Sequence, residues 1–279
     1  MITTPNVKIN LGLNVIRKRE DGFHDLETLF VPYFGISDKL EIVVGDDFSR
    51  TSAAIFGKYA PEMIAQGISE DGKLMITIAR EEGVDWDPLK DLTAKAYQIL
   101  AADFDLPPVK IFLEKTSPVG AGLGGGSSDA AFALKMLDEL CGLGLDEQRL
   151  AEYASRLGSD CAFFIYNRPM IGEGRGEILT EYEIDLDGYD LQVLTPEGVA
   201  VSTKDAYGGI RPHLPEVPLR EALARPVEEW SEVLVNDFEE TVFAKYPELA
   251  AIKRSLYDSG AVYASMSGSG SALFALYGR

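Results

Sequence analysis

Five glycines stand within seven residues, at Gly120, Gly122, Gly124, Gly125 and Gly126. They lie in the run Pro118-Val-Gly-Ala-Gly-Leu-Gly-Gly-Gly-Ser-Ser-Asp-Ala-Ala131, after a strand-like stretch and ahead of a helical one. Glycine lets backbone N–H groups approach an anion closely and adopt positive φ. The helix start behind the glycines adds unpaired donors and the positive end of a dipole. That chemistry is a phosphate cradle. The run is not a Walker A loop, because no Gly-Lys-Ser/Thr follows. Gly120, Gly122 and Gly125 match GxGxxG in spacing, but no clear acidic partner for a ribose stands about 20 residues on. A tight strand-to-helix turn is the plain alternative, and it needs fewer glycines. Asp129 would repel a nearby polyphosphate, yet as an early helix residue it also suits the dipole.

Three further places could carry chemistry. Lys8 and Asn10 alternate with Val7, Ile9, Leu11, Leu13 and Val15, so both project from one face of a strand. Alone, they read as the polar face of an edge strand. Asp160 follows Leu157-Gly-Ser and precedes the apolar Cys161-Ala-Phe-Phe-Ile165. It is either a helix-start residue or a site acid, and its neighbours do not decide which. Ser267-Gly-Ser-Gly-Ser271 joins two apolar strand-like stretches, and alone it reads as a hairpin loop.

The elements around these residues follow from periodicity. Arg17 to Gly22 is a charged turn, and Phe23 to Val31 a second extended stretch. Leu40 to Val44, Leu74 to Ile78 and Val109 to Glu114 read as strands. The segment 89–103 carries a helical stripe. Ala130, Ala133, Leu134, Leu137 and Leu140 predict a helix that stops near Gly142 and Gly144, and a second helix runs from about Asp146 to Leu157. Residues 45–73 read as irregular. Tyr189 to Leu194, the helix Pro247 to Asp258 and the strands Ala261 to Met266 and Ala272 to Tyr277 complete an alternation that is α/β or α+β.

The 279 residues carry 26 Lys and Arg against 45 Asp and Glu, a formal charge of -19. Such a surface repels a nucleic-acid backbone, so a nucleic-acid partner is not expected. A small anion needs only a local positive pocket. The two cysteines show no metal-ligand spacing, and reducing cytoplasm is the expected compartment. No signal peptide or membrane span is expected.

Taken together, Asn6-Val-Lys-Ile-Asn-Leu11, the glycine run and Ser267–Ser271 resemble motifs one, two and three of the GHMP small-molecule kinases. Arg19-Glu-Asp-Gly-Phe-His-Asp-Leu-Glu-Thr28 resembles the branch of that family whose acceptor is a cytidine diphosphate-linked polyol of the non-mevalonate isoprenoid route. The resemblance implies an α+β two-domain GHMP kinase fold. A ribosomal protein S5 domain 2-like N-terminal domain would span 1–166, and a ferredoxin-like C-terminal domain 167–279. It implies ATP as co-substrate and Mg²⁺ held mainly by nucleotide phosphates, with Ser128 a candidate ligand; the sequence shows no acidic cluster to fix the metal.

Carried over by motif, Lys8 and Asp160 are the expected catalytic pair. Pro118, Gly120, Gly122, Leu123, Gly124, Gly125, Gly126, Ser127 and Ser128 would bind ATP, Gly122 to Ser128 wrapping its phosphates, with Lys115 near the adenosine. Asn10, Thr203, Gly268, Ser269 and Gly270 would meet the acceptor. Phe23 and Tyr207 would sandwich its cytosine, and His24 would read the base edge. Without the motifs, Phe23 reads as core, His24 as a solvated polar residue and Tyr207 as a surface tyrosine. The chain departs from the family with Phe23 for its usual Tyr, Asp91 for an adenine-facing Asn, and Cys161-Ala162 for Val-Pro. Other readings remain at this stage: a homoserine or mevalonate-type acceptor, a dinucleotide-binding oxidoreductase, and a binding module without turnover. The sequence does not choose between monomer and homodimer.

Overall fold

The computed structural model describes residues 1–45, 47 and 49–279. In chain order the first strands are β1 (Ile2–Thr3), β2 (Asn6–Lys18), β3 (His24–Ser37) and β4 (Lys39–Val44). Next come α1 (Ser52–Lys58), β5 (Ile64–Ile68), β6 (Leu74–Ala79), α2 (Leu92–Ala101) and β7 (Val109–Glu114). Three helices follow: α3 (Gly125–Cys141), α4 (Glu147–Leu157) and α5 (Cys161–Tyr166). The rest is β8 (Met170–Gly174), β9 (Ile178–Glu181), β10 (Tyr189–Leu194), α6 (Thr203–Gly208), α7 (Leu219–Leu223), α8 (Trp230–Val233), α9 (Phe238–Lys245), α10 (Pro247–Asp258), β11 (Tyr263–Met266) and β12 (Leu273–Gly278).

The chain packs as two units that do not follow a single cut in the sequence. The first takes Met1–Val7, Phe34–Ser117 and Gly124–Asn167; the second takes Lys8–Tyr33, Pro118–Leu123 and Arg168–Arg279. A division at 166/167 is a cut in the chain, whereas the packing units exchange segments across it.

The first unit holds a five-stranded sheet in the order β1-β4-β7-β6-β5. Only β6 and β7 run parallel, with Leu74 opposite Val109 and Ala79 opposite Glu114. Parallel neighbours need a crossover, and α2 supplies it. Helix α3 buries Ala130, Ala133, Leu134 and Leu137, the stripe its period predicts. It ends at Gly142, whose φ of +63 stops the helix where a side chain would be strained. In the segment 45–73 the structure differs from the irregular reading: α1 and β5 lie there, while Asp46 and Phe48 fall outside the described residues. Both elements are short, and α1 buries only Ile55, so neither displays a full apolar period.

The second unit holds a four-stranded sheet, β2-β3-β8-β9, and a three-stranded one, β10-β12-β11. An apolar cluster of Leu13, Val15, Phe238, Leu249, Met266 and Leu273 packs α9 and α10 against the strands. The alternation in β2 predicts one buried face. The structure buries both: Asn6, Lys8, Asn10 and Asn14 are nearly as inaccessible as the apolar residues between them. The polar face of β2 is therefore an interior, and its groups need internal partners.

Candidate active site

Lys8 is 3% exposed. A buried ammonium is costly unless its donors are used. Its Nζ donates to Asn10 Oδ1 at 2.5 Å and to the Gly122 carbonyl at 2.9 Å, and it lies 5.3 Å from the centre of the Phe30 ring. Asn10 Nδ2 in turn donates to Thr28 Oγ1 at 3.0 Å. Ser267 Oγ donates to the same Gly122 carbonyl at 3.0 Å, and the Asn10 N–H reaches Ser267 Oγ at 3.3 Å. Strand β2, the 118–123 loop and the 267–271 loop thus meet at one carbonyl within the second unit. Backbone bonds reinforce the meeting: Lys8 N–H to Leu123 O at 3.0 Å, and Ala272 N–H to Ala121 O at 3.1 Å.

Gly122 must be glycine here. Its φ is +79, and a Cβ would lie 2.1 Å from the Ser267 carbonyl oxygen. Gly268, Ser269 and Gly270 form the facing loop, which Asn236 ties down. The buried Asn236 donates through Nδ2 to the Met266 carbonyl at 2.7 Å and to the Gly268 carbonyl at 2.9 Å. Residues 235–237 also bridge β2, with Leu13 N–H donating to Val235 O at 2.8 Å and Asp237 N–H to Leu13 O at 2.9 Å. Sequence reasoning missed Asn236, because a lone Asn before Asp237 carries no motif.

In the first unit, Gly124, Gly125, Gly126, Ser127 and Ser128 make the start of α3. Gly124 is its N-cap at φ +71, and a Cβ on Gly125 would lie 2.3 Å from Ser117 Oγ. Behind this turn is a buried charge cluster. Lys115 Nζ donates to Asp38 Oδ2, to Ser117 Oγ at 2.9 Å and to Asp129 Oδ2 at 2.7 Å. Those three bonds use all three ammonium protons. The adenosine contact expected of Lys115 therefore competes with a fully occupied ammonium.

The two carboxylates of the cluster differ. Burial opposes ionisation of both, but Asp38 is held below the ordinary aspartate range by Lys115 and by donors from Ser117. It also accepts the Thr116 and Ser117 N–H groups, at 2.7 and 2.6 Å. Asp129 has Lys115 alone, and its Oδ1 has no partner. Burial raises it well above the ordinary range. Asp129 therefore holds its proton more tightly than Asp38, because like charges sharing one cation oppose each other's ionisation. The repulsion expected between Asp129 and a polyphosphate is correspondingly reduced.

Asp160 precedes α5 in the first unit, and its side chain makes no capping bond to that helix. Asp160 thus stands at a helix start, as one of its two readings expects, without a side-chain bond to the helix. Asp91 is a cap: it accepts Thr93 N–H at 2.8 Å and Trp86 Nε1–H at 3.0 Å, so both oxygens are engaged. Cys161 is buried, and its thiol is pushed up to about 12 by burial; Cys141 is half-buried.

The acceptor candidates all belong to the second unit, where His24 and Tyr207 are in ring contact. His24 stacks on Tyr207, ring centres 4.7 Å apart and planes 24° apart. Burial, aided by the Lys18 charge, lowers His24 below its ordinary range, which keeps the ring neutral at pH 7. Tyr207 meets Phe238 edge-on at 4.8 Å. Phe23 is 54% exposed, so the core reading fails. Thr203 opens α6 and is exposed.

Comparison with known proteins identifies the family. The profile of the GHMP kinases N terminal domain matches residues 91–168, and that of GHMP kinases C terminal matches residues 219–279. A Bacteroides fragilis protein named 4-diphosphocytidyl-2-C-methyl-D-erythritol kinase is 46% identical over 277 residues, which cover 99% of this chain and 92% of the relative. The chain belongs to the GHMP kinases. A crystal structure of 4-(cytidine 5'-diphospho)-2C-methyl-D-erythritol kinase matches this kinase at 30% identity and a TM-score of 0.76, covering 99% of this chain and 90% of that one. A homoserine kinase structure from Cytophaga hutchinsonii shares the fold, with a TM-score of 0.64 at 16% identity and coverage of 99% and 86%. A GHMP kinase uses ATP as co-substrate, so the dinucleotide-oxidoreductase reading falls. No helix among the described residues is long and apolar enough to cross a membrane.

Proposed function

We propose that this kinase transfers the γ-phosphoryl group of ATP to the 2-hydroxyl of 4-diphosphocytidyl-2-C-methyl-D-erythritol. The observation that carries the reading is the buried Lys8 ammonium, held between Asn10 and the Gly122 carbonyl where a strand and two loops meet. Phosphoryl transfer asks a protein mainly for positioning and electrostatics, and a fixed cation supplies both. The 46% identity to a kinase of that name and the aromatic pair His24–Tyr207 favour a nucleotide-bearing acceptor over homoserine or mevalonate.

In this reading Asp160 takes the proton of the acceptor hydroxyl as its oxygen bonds to the γ-phosphorus and the bond to ADP breaks. Lys8 stabilises the oxygen's developing charge. The glycines from Gly120 to Gly126, with Ser127 and Ser128, bind the ATP phosphates through backbone donors. Phe23 and Tyr207 flank the cytosine, and the neutral His24 can both donate to and accept from its edge. Asn10, Thr203 and the 268–270 loop hold the rest of the acceptor.

A magnesium ion fits the donors present. Mg²⁺ keeps several waters and takes one or two protein oxygens beside substrate phosphates. Ser128 Oγ is a buried oxygen without a partner at the phosphate turn, and no cluster of three or more acidic or imidazole ligands exists among the described residues. Bound there, the ion would neutralise phosphate charge. The free thiols Cys141 and Cys161 suit a reducing cytoplasm.

The direct test is ADP release from ATP and Mg²⁺, with and without this acceptor. Release that requires the cytidine acceptor supports the reading. Release driven instead by homoserine or mevalonate overturns the acceptor, and nucleotide binding without turnover overturns the kinase.

A further inference from the structure

The β8–β9 turn, Arg175-Gly176-Glu177, lies outside every motif read from the sequence. Gly174 and Gly176 take φ of +69 and +107. The Arg175 N–H donates to Glu177 Oε2 at 2.5 Å, and the Gly176 N–H to the Glu173 carbonyl at 3.0 Å. These bonds fix where the Arg175 side chain leaves the turn. The β3–β8 ladder sets Gly174 opposite Leu26, so the turn emerges beside the one that carries Phe23.

There the Arg175 guanidinium carbon lies 5.1 Å from the centre of the Phe23 ring. Phe23 is itself held at the backbone: its N–H donates to Asp21 Oδ1 at 3.1 Å, and its carbonyl accepts the Arg19 N–H at 2.8 Å. The ring is what the backbone leaves free, and it projects with more than half its surface exposed. Glu177 lies 3.5 Å from Arg175 Nε, and the Arg175 charge also reaches Asp21 in the Phe23 turn. The guanidinium lies over the ring, and a cation over an aromatic face is attracted by the ring's quadrupole.

We propose that Arg175 is a positioning residue for the acceptor's base, capping one face of Phe23 so that the other stands as a ready platform for the pyrimidine. The inference rests on the acceptor reading above, in which Phe23 is that platform. An unsupported exposed ring samples several rotamers, and fixing one of them on binding costs affinity. Capping removes that cost before the acceptor arrives. Its effect therefore belongs to acceptor binding, with the phosphoryl transfer step and ATP binding untouched.

Steady-state kinetics of Arg175→Ala, Arg175→Lys, Phe23→Ala and the double alanine variant test this, with each substrate varied in turn. For Arg175→Ala the acceptor KM should rise about threefold to tenfold, with kcat and the KM for ATP within about twofold. Arg175→Lys keeps a cation over the ring and should recover part of the loss. Adding Arg175→Ala to Phe23→Ala should do nothing more, since the ring it positions is gone. An unchanged acceptor KM in Arg175→Ala, beside a raised one in Phe23→Ala, overturns this inference and leaves the acceptor reading standing. So does a full second loss in the double variant, or a lysine variant as impaired as the alanine one. If Phe23→Ala leaves the acceptor KM unchanged, the platform itself is overturned and the inference with it.

Discussion

Lys8 shows why a residue type says little until its surroundings are known. On an exposed strand it would be one of 26 basic side chains. Buried, it must be paired, and its partners are the Gly122 carbonyl of the glycine run and the Asn10 amide of its own strand. Asp160 is the residue proposed to work with it. Asp160→Asn keeps the side chain's size and removes the base, so kcat should fall about 10²- to 10⁴-fold. ATP affinity, measured by calorimetry, should stay within about twofold. A variant that keeps its turnover would remove Asp160 from the mechanism.

The Lys115 cluster makes a second prediction at this scale. Asp129 is raised well above its ordinary value in the folded protein. The native state therefore holds a proton that the unfolded chain releases once pH passes the ordinary aspartate range. Its contribution to stability is complete below that range and declines as pH rises towards the folded value. An asparagine in its place cannot titrate, and the amide oxygen can still accept from Lys115. Asp129→Asn should thus gain stability relative to the natural chain as pH rises from about 5 to 8, by about 1 kcal/mol or more. Thermal midpoints across that range are the check, and parallel profiles would show that Asp129 is ionised. Asp38→Asn should behave oppositely, losing about 3 kcal/mol or more at pH 7, because it leaves Lys115 short of a buried counter-charge.

Among the elements, the loops matter more than the helices. The 118–123 and 267–271 loops approach so closely that a single methyl cannot fit between them. Gly122→Ala combines positive φ with a 2.1 Å clash against a backbone carbonyl. It should cost about 2 kcal/mol or more in stability and more than about tenfold in kcat/KM. Denaturant unfolding and steady-state kinetics measure the two losses. Gly126→Ala is the control: nothing lies within 4 Å of the place its methyl would take and its φ is unexceptional, so stability should barely change. The elements most easily read in advance were long or sharply periodic, such as α3 and β2. Helix α1 and strand β5 escaped because short elements with a single buried residue, or at a sheet edge, carry too little pattern.

The chain as a whole carries a charge of -19 while its proposed substrates are themselves anions. Self-repulsion on that scale destabilises the compact state, and salt screens it, with a Debye length near 8 Å at physiological ionic strength. Raising NaCl from about 10 to 200 mM should therefore lift the thermal midpoint by a few degrees, as followed by scanning calorimetry. A falling midpoint would mean that the ion pairs outweigh the net repulsion. Saturating ATP at about 100 times its Kd should add roughly 2.7 kcal/mol, and the same instrument reads that shift.

Some of this was legible in the sequence alone. Glycine spacing, strand alternation and helix stops are local, and they announced a glycine-rich turn into a helix, a strand carrying Lys8 and Asn10, and the ends of α3 and α4. The order of the motifs along the chain pointed to the family. Partnership is another matter, because it joins residues that are distant in sequence. Asp38 meets Lys115 across 77 positions, and Asn236 meets Met266 across 30. No spacing rule links them. Burial also changes what a side chain means: the polar face of β2 became an interior, Asp129 became an acid that gives up its proton less readily than usual, and Lys115 became a fully bonded anchor. Only the tertiary structure decided those points, because the cost of burying a charge depends on which groups the fold brings beside it.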